Sequence, residues 1–209
     1  MIEITPDDLD EIVVGVDPAV TSGEDADETG IVVVGRGPHQ PETCQIPHCI
    51  YHAYVLEDAT VPKSNKTSIE RWGRRVIEAY DTWSASVCVV ESNQGKELLR
   101  SVLNNIRPDL PVELAHAGAS KEVRAEPIVS LYEQGRVHHL GDPMHFAQLE
   151  EQMTTWIPNG KRGQHSPDRM DALVWAITRL DINGNNRKAK RSFDGMAPIG
   201  FGQRNGWAI

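Results

Sequence analysis

The chain has 209 residues, 39% of them hydrophobic and 24% charged, and a formal net charge of −9. These values describe one globular domain rather than a disordered or fibrous chain, and no apolar run reaches the ~18 residues of a membrane helix. The acidic balance argues against a nonspecific nucleic-acid binder, which carries a basic footprint, and three cysteines, Cys44, Cys49 and Cys88, do not make a disulfide framework.

Residues 1–8 are acidic and lack the basic start of a secretory signal, so a cytoplasmic location is expected. Residues 12–17 read as a buried strand ending in Asp17. A polar, acidic loop follows, in which Asp27 is the one further acid considered for the same site. Residues 30–36 form a second strand and residues 50–56 a third, separated by a turn-rich loop. Short connections of this kind join antiparallel neighbours. The loop holds His39, Cys44, His48 and Cys49, with His52 just beyond. Their spacing does not match a common zinc finger, so a polar hairpin loop is the expected structure.

Helical spacing of Ile69, Trp72, Val76, Ile77 and Tyr80 predicts a helix over 67–82. A strand at 87–90 runs into Glu91, a helix covers 95–106, and 111–116 is a fifth short strand. The remainder reads as helices at 119–135, with a kink or break at Pro127, at 143–156 and at 167–181. Residues 183–209 are basic and then rich in Gly and Pro, and read as a flexible tail beyond a domain of residues 1–182.

A three-strand meander followed by helix–strand–helix–strand and then helices is the order of an RNase H-like α/β fold. The expected mixed sheet has five strands in the order 3-2-1-4-5, strand 2 antiparallel, flanked by helices. Strands one and four are then parallel neighbours, which sets Asp17 and Glu91 side by side at their carboxyl ends, where open α/β sheets bind ligands. Asp171 lies beyond the first turn of the last helix and flanks its apolar face of Met170, Leu173, Val174, Ile177 and Leu180. Converging carboxylates are the equipment for hard divalent ions and for phosphodiester hydrolysis. Asp168 shares a face with Asp171, but an acid in the first turn is also favoured by the helix dipole alone. Lys96 with Arg100, and Lys121 with Arg124, are either solvated helix faces or contacts to a DNA backbone. There is no Gly-x₄-Gly-Lys-Ser/Thr phosphate loop and no Gly-x-Ser-x-Gly elbow.

Several stretches together resemble the nuclease domain of large terminase subunits of tailed bacteriophages. They are Val-Gly-Val-Asp-Pro-Ala-Val (14–20), Asp-Glu-Thr-Gly-Ile (27–31), Tyr-Val-Leu-Glu-Asp (54–58) and Val-Val-Glu-Ser-Asn (89–93). Ser-Lys-Glu-Val-Arg-Ala-Glu-Pro (120–127), Leu-Tyr-Glu-Gln-Gly-Arg-Val (131–137) and Ser-Pro-Asp-Arg-Met-Asp-Ala-Leu-Val-Trp-Ala (166–176) follow in the same order. The resemblance implies an endonuclease that cuts concatemeric viral DNA during genome packaging. It implies two Mg²⁺ or Mn²⁺ ions held by Asp17, Glu91 and Asp171, with Asp168 at the position of a further ligand in some members. Double-stranded DNA, a packaging ATPase domain or subunit, small terminase and portal are the implied partners, in a host cytoplasm, with no role for a membrane. The family's full-length proteins carry a packaging ATPase that this chain lacks, so an excised domain or a separately encoded nuclease is expected. Rival readings are a junction resolvase, an RNA–DNA hybrid nuclease, an actin-like nucleotide binder or a noncatalytic packaging scaffold.

Overall fold

A computed structural model describes residues 4–18, 28–62, 69–92, 96–157 and 167–184, with only the backbone for residue 69 and residues 96–99. In chain order its elements are β1 (Glu11–Asp17), β2 (Gly30–Pro38), β3 (Tyr51–Asp58), α1 (Ile69–Thr82), β4 (Val87–Glu91) and α2 (Lys96–Ile106). Then come β5 (Val112–Ala115), α3 (Lys121–Glu133), β6 (Val137–His139), α4 (Ala147–Thr155) and α5 (Asp168–Leu180). Among the described residues no helix is long and apolar enough to cross a membrane.

The strands form one sheet in the order β5-β4-β1-β2-β3-β6. β2 is antiparallel to both neighbours, while β1–β4, β4–β5 and β3–β6 are parallel. The expected 3-2-1-4-5 order is present, with one strand added at its edge. β6 is three residues long and docks on β3, where the Ala53 amide donates to the Arg136 carbonyl (2.9 Å) and the Leu140 amide to Val55 (2.9 Å). Pro127 lies inside α3, which runs on through it rather than breaking. It costs the helix one amide donor.

Alternation along the strands builds two cores. Val13, Val32, Val34, Val55, Val87 and Val89 face α3, α4 and α5. Val14, Val16, Ile31, Val33, Cys88 and Val90 face α1, which inserts Trp72, Val76 and Ala79, and α2, which inserts Leu103. With a side-chain period of two, Asp17 falls on the Val13 face and Glu91 on the Val87 and Val89 face. Both therefore turn toward α5.

α5 lies across that face with every residue from Asp168 to Ile177 buried. Leu173, Ile177 and Leu180 are at most 1% exposed, and burying such side chains contributes roughly 1.5–3 kcal/mol each. Two glycines allow the close approach. A Cβ on Gly15 would meet the Ala172 carbonyl oxygen at 2.1 Å and Ala176 Cβ at 2.9 Å, and one on Gly30 would meet the Asp168 carbonyl oxygen at 2.0 Å. The helix backbone thus rests directly on β1 and β2.

Candidate active site

Asp17 is the last residue of β1 and pairs with Gly30 across the antiparallel ladder. On the other side of β1, the parallel register sets Val16 beside Val90, so Glu91 follows Val90 at the same edge as Asp17. Gly30 seats the first turn of α5 over this edge and Gly15 the turns after it, and the first turn carries Asp168 and also Asp171, which was expected beyond it. Four acids separated by up to the length of the chain's core thus meet at one end of the sheet.

Their electrostatics follow from that crowding. The carboxyl of Asp17 is pushed well above its ordinary value of 3.8, first by burial and then by the charges of Asp171, Glu91 and Asp168. Burial also raises Asp171, whose side chain is 2% exposed, and Lys121 and Arg124 work against that rise. The Lys121 ammonium donates to Asp171 Oδ2, and Arg124 Nη2 lies 3.6 Å from Asp171 Oδ1. Burial disfavours the charged form of Lys121, but the Asp171 carboxylate outweighs it and the pKa of the ammonium is raised. Arg124 Nη1 sits 3.8 Å from Glu91 Oε2, and its guanidinium stacks 4.5 Å above the Trp175 ring. Trp175 in turn donates from Nε1 to Glu91 Oε2 at 2.8 Å.

The family model of the terminase RNaseH-like domain matches residues 14–180. The chain belongs to that family. Its fold is the RNase H-like fold of terminase nucleases. Among solved structures it is similar to the large terminase nuclease from thermophilic phage G20c, with a TM-score of 0.53 and 14% identity over 81% of this chain and 82% of that one. It is also similar to RuvC from Thermus thermophilus, with a TM-score of 0.46 and 17% identity over 83% of this chain and 97% of that one. No curated protein sequence matches it.

In this terminase RNaseH-like domain, the first turn of α5 is anchored by residues that composition and spacing do not single out. Arg169 stands between Asp168 and Asp171 with its side chain 5% exposed, and it donates to Asp58 Oδ2 at 2.5 Å and Glu28 Oε2 at 3.0 Å. The amides of Arg169 and Met170, which have no carbonyl partner inside the helix, donate to Gln152 Oε1 of α4 at 3.0 and 3.4 Å. Pro167 occupies the cap position of α5. Trp175 is the other addition to the site. Its signal was available, since it follows Asp171 by four residues and so lies on the same helix face.

The four basic residues part company. Lys121 and Arg124 lie on the acids, as described above. Arg100 is exposed on α2, and the side chain of Lys96 is outside the described residues, as are Asp27 and the basic tail. The donor set of Asp17, Glu91, Asp171 and Asp168 is carboxylate oxygen throughout, which suits hard divalent ions of the Mg²⁺ and Mn²⁺ type. The pKa of Asp17 is raised first by burial and then by gathering these acids, with the Lys121 charge working against the rise.

Proposed function

We propose that this chain is a metal-dependent DNA endonuclease that cuts concatemeric viral DNA during genome packaging. The observation that carries the reading is the convergence of Asp17, Glu91 and Asp171 on one sheet edge, close enough for Asp171 and Glu91 to raise the pKa of Asp17. These three acids would hold two divalent ions, with Asp168 as a further donor. Bound there, such ions would supply an activated water and neutralise charge on the leaving oxygen of a phosphodiester.

The protein's own groups serve that chemistry in separate ways. Trp175 fixes the orientation of the Glu91 carboxylate through its indole N–H. Arg169, paired with Asp58, anchors the first turn of α5, which carries Asp171. Lys121 and Arg124 neutralise the acids, and they are also the cations nearest to an approaching phosphate. Among the described residues Arg124 Nε and Nη1 are buried without a hydrogen-bond partner, and Nη1 lies 3.8 Å from Glu91 Oε2. Lys96 and Arg100 on α2 would extend the DNA contact away from the acids. The partners in this role are double-stranded DNA, a packaging ATPase, small terminase and portal, in the cytoplasm of an infected cell.

A substrate panel tests the assignment. Linear duplex, a four-way junction and an RNA–DNA hybrid are incubated with the protein and Mn²⁺. Cleavage of the duplex at a rate at least equal to the others supports the packaging nuclease. Preference for the junction or the hybrid replaces it with a resolvase or a hybrid nuclease, and no cleavage of any substrate leaves a packaging scaffold.

A further inference from the structure

The loop between β2 and β3 carries a second cluster, unrelated to the acids. Its residue spacing is unlike that of a common finger, yet the fold brings His39, Cys44, Cys49 and His52 together. One donor atom of each lies within 4.8 Å of the others, while His48, in the same loop, is not among them. Cys44 and His52 are buried, and both cysteines are free thiols. We propose that these four side chains form a structural zinc site, a Cys₂His₂ centre that fastens the β2–β3 loop to the sheet.

The distances fit such an ion. With Zn–N near 2.0–2.1 Å and Zn–S near 2.3 Å, a tetrahedral site spaces its donor atoms roughly 3.3–3.8 Å apart. His39 Nδ1 and His52 Nε2 face each other at 3.2 Å, with the rings edge to face. A hydrogen bond between the imidazoles would account for that pair alone and not for the two sulfur atoms gathered beside it. Two thiolates balance the charge of Zn²⁺, so the filled centre is neutral and suited to burial. Soft sulfur with imidazole nitrogen is a donor set for zinc, and unlike the all-oxygen set at Asp17.

The surroundings are those of ligands held in place. His52 Nδ1 pairs with His138 Nε2 on β6 at 2.7 Å, which fixes the ring and leaves Nε2 for the ion. The Ile46 amide donates to Cys44 Sγ at 3.5 Å. The loop returns tightly through His48 in the left-handed region (φ 61°), with the Cys49 amide donating to the Ile46 carbonyl at 3.2 Å. Thr43 reaches back to the Gly135 carbonyl at 3.1 Å, ahead of β6. Because β2 runs from Gly30 beside Asp17 to Pro38 beside Tyr51, this site lies at the end of the sheet remote from the acids. Its role is to shape that end of the domain, not to take part in cleavage.

Metal analysis of the purified, reduced chain, prepared without chelators, tests this directly. The expected result is one zinc per chain, lost in Cys49→Ser and in His39→Ala and kept in His48→Ala and Asp17→Asn. Replacement of zinc by Co²⁺ should give the visible absorption of a tetrahedral ion with thiolate ligands. If Cys49→Ser does not fold, the wild-type zinc content and the Co²⁺ spectrum still decide. A folded wild-type chain that holds no zinc and takes up no Co²⁺ overturns the proposal. So does zinc that survives Cys49→Ser and disappears in Asp17→Asn, since the ion would then sit on the carboxylates.

Discussion

Burial, followed by the charges of Asp171, Glu91 and Asp168, raises the carboxyl of Asp17 above its ordinary 3.8, and this has a consequence for stability. Where the folded pKa of an acid exceeds its unfolded pKa, the folded state binds more protons, so stability falls as pH rises between the two values. In buffer without Mg²⁺ or Mn²⁺, the wild-type protein should therefore lose stability relative to Asp17→Asn as pH rises from the ordinary carboxylate range toward neutrality. Thermal melts of the two proteins across that range check it. Adding Mn²⁺ should raise the wild-type melting temperature and leave the variant unmoved. Parallel melting curves at every pH would mean that Asp17 is not under this strain. Trp175 acts at the same scale through its bond to Glu91. Trp175→Phe keeps a ring under Arg124 but removes the indole donor, and losses of roughly 10–100-fold in metal affinity or activity are typical when such a partner of a ligand goes. Cleavage rate measured against Mn²⁺ concentration would show a shift to higher metal demand; an unchanged curve would deny Trp175 this positioning role.

α5 is the element on which the site depends, and Gly15 is where it touches the sheet. A methyl at Gly15 would overlap the Ala172 carbonyl oxygen, a backbone atom that cannot turn aside. Gly15→Ala should destabilise the fold by about 1–3 kcal/mol or more and should lower cleavage further by lifting Asp171 away from Asp17. Gly118→Ala is the control: nothing lies within 4 Å of its Cβ, and surface changes of that kind stay within about 0.5 kcal/mol. Equal denaturation midpoints for the two variants would mean that α5 is not held by this contact. Much of this element arrangement was legible beforehand. The apolar runs that end in Asp17 and Glu91 read as buried strands, and the 3-2-1-4-5 order makes them parallel neighbours. What escaped depends on contacts that local pattern does not carry. β6 is three residues with two histidines, and it is a strand only because the edge of β3 offers it partners. Lys121 and Arg124 read as a solvated helix face or a DNA contact and not as partners of the acids, because Asp171 and Glu91 are dozens of residues away. Asp168 and Asp171 stood out, while Arg169 between them reads as one more charged residue until Asp58 is found beside it. Likewise the Cys/His loop is unreadable by finger spacing, because Cys44 and Cys49 flank a turn, His39 follows the end of β2 and His52 lies in β3.

At the scale of the whole molecule, the sheet has two chemically distinct ends. One gathers carboxylates at the tips of β1 and β4 under α5, and the other gathers thiols and imidazoles between β2 and β3. A net charge of −9 is at odds with strong DNA attraction by the chain alone, and fits a nuclease that depends on bound cations and on partner proteins to engage its substrate. The central claim is that the acid cluster cuts DNA with the help of divalent ions, and digestion of supercoiled plasmid with and without Mn²⁺ tests it most directly. The expected result is nicked and linear product only when Mn²⁺ is present, and none with Asp17→Asn or Asp171→Asn proteins that melt cooperatively. Absence of metal-dependent nicking across a broad pH range, or cutting at the wild-type rate by either variant, would contradict it.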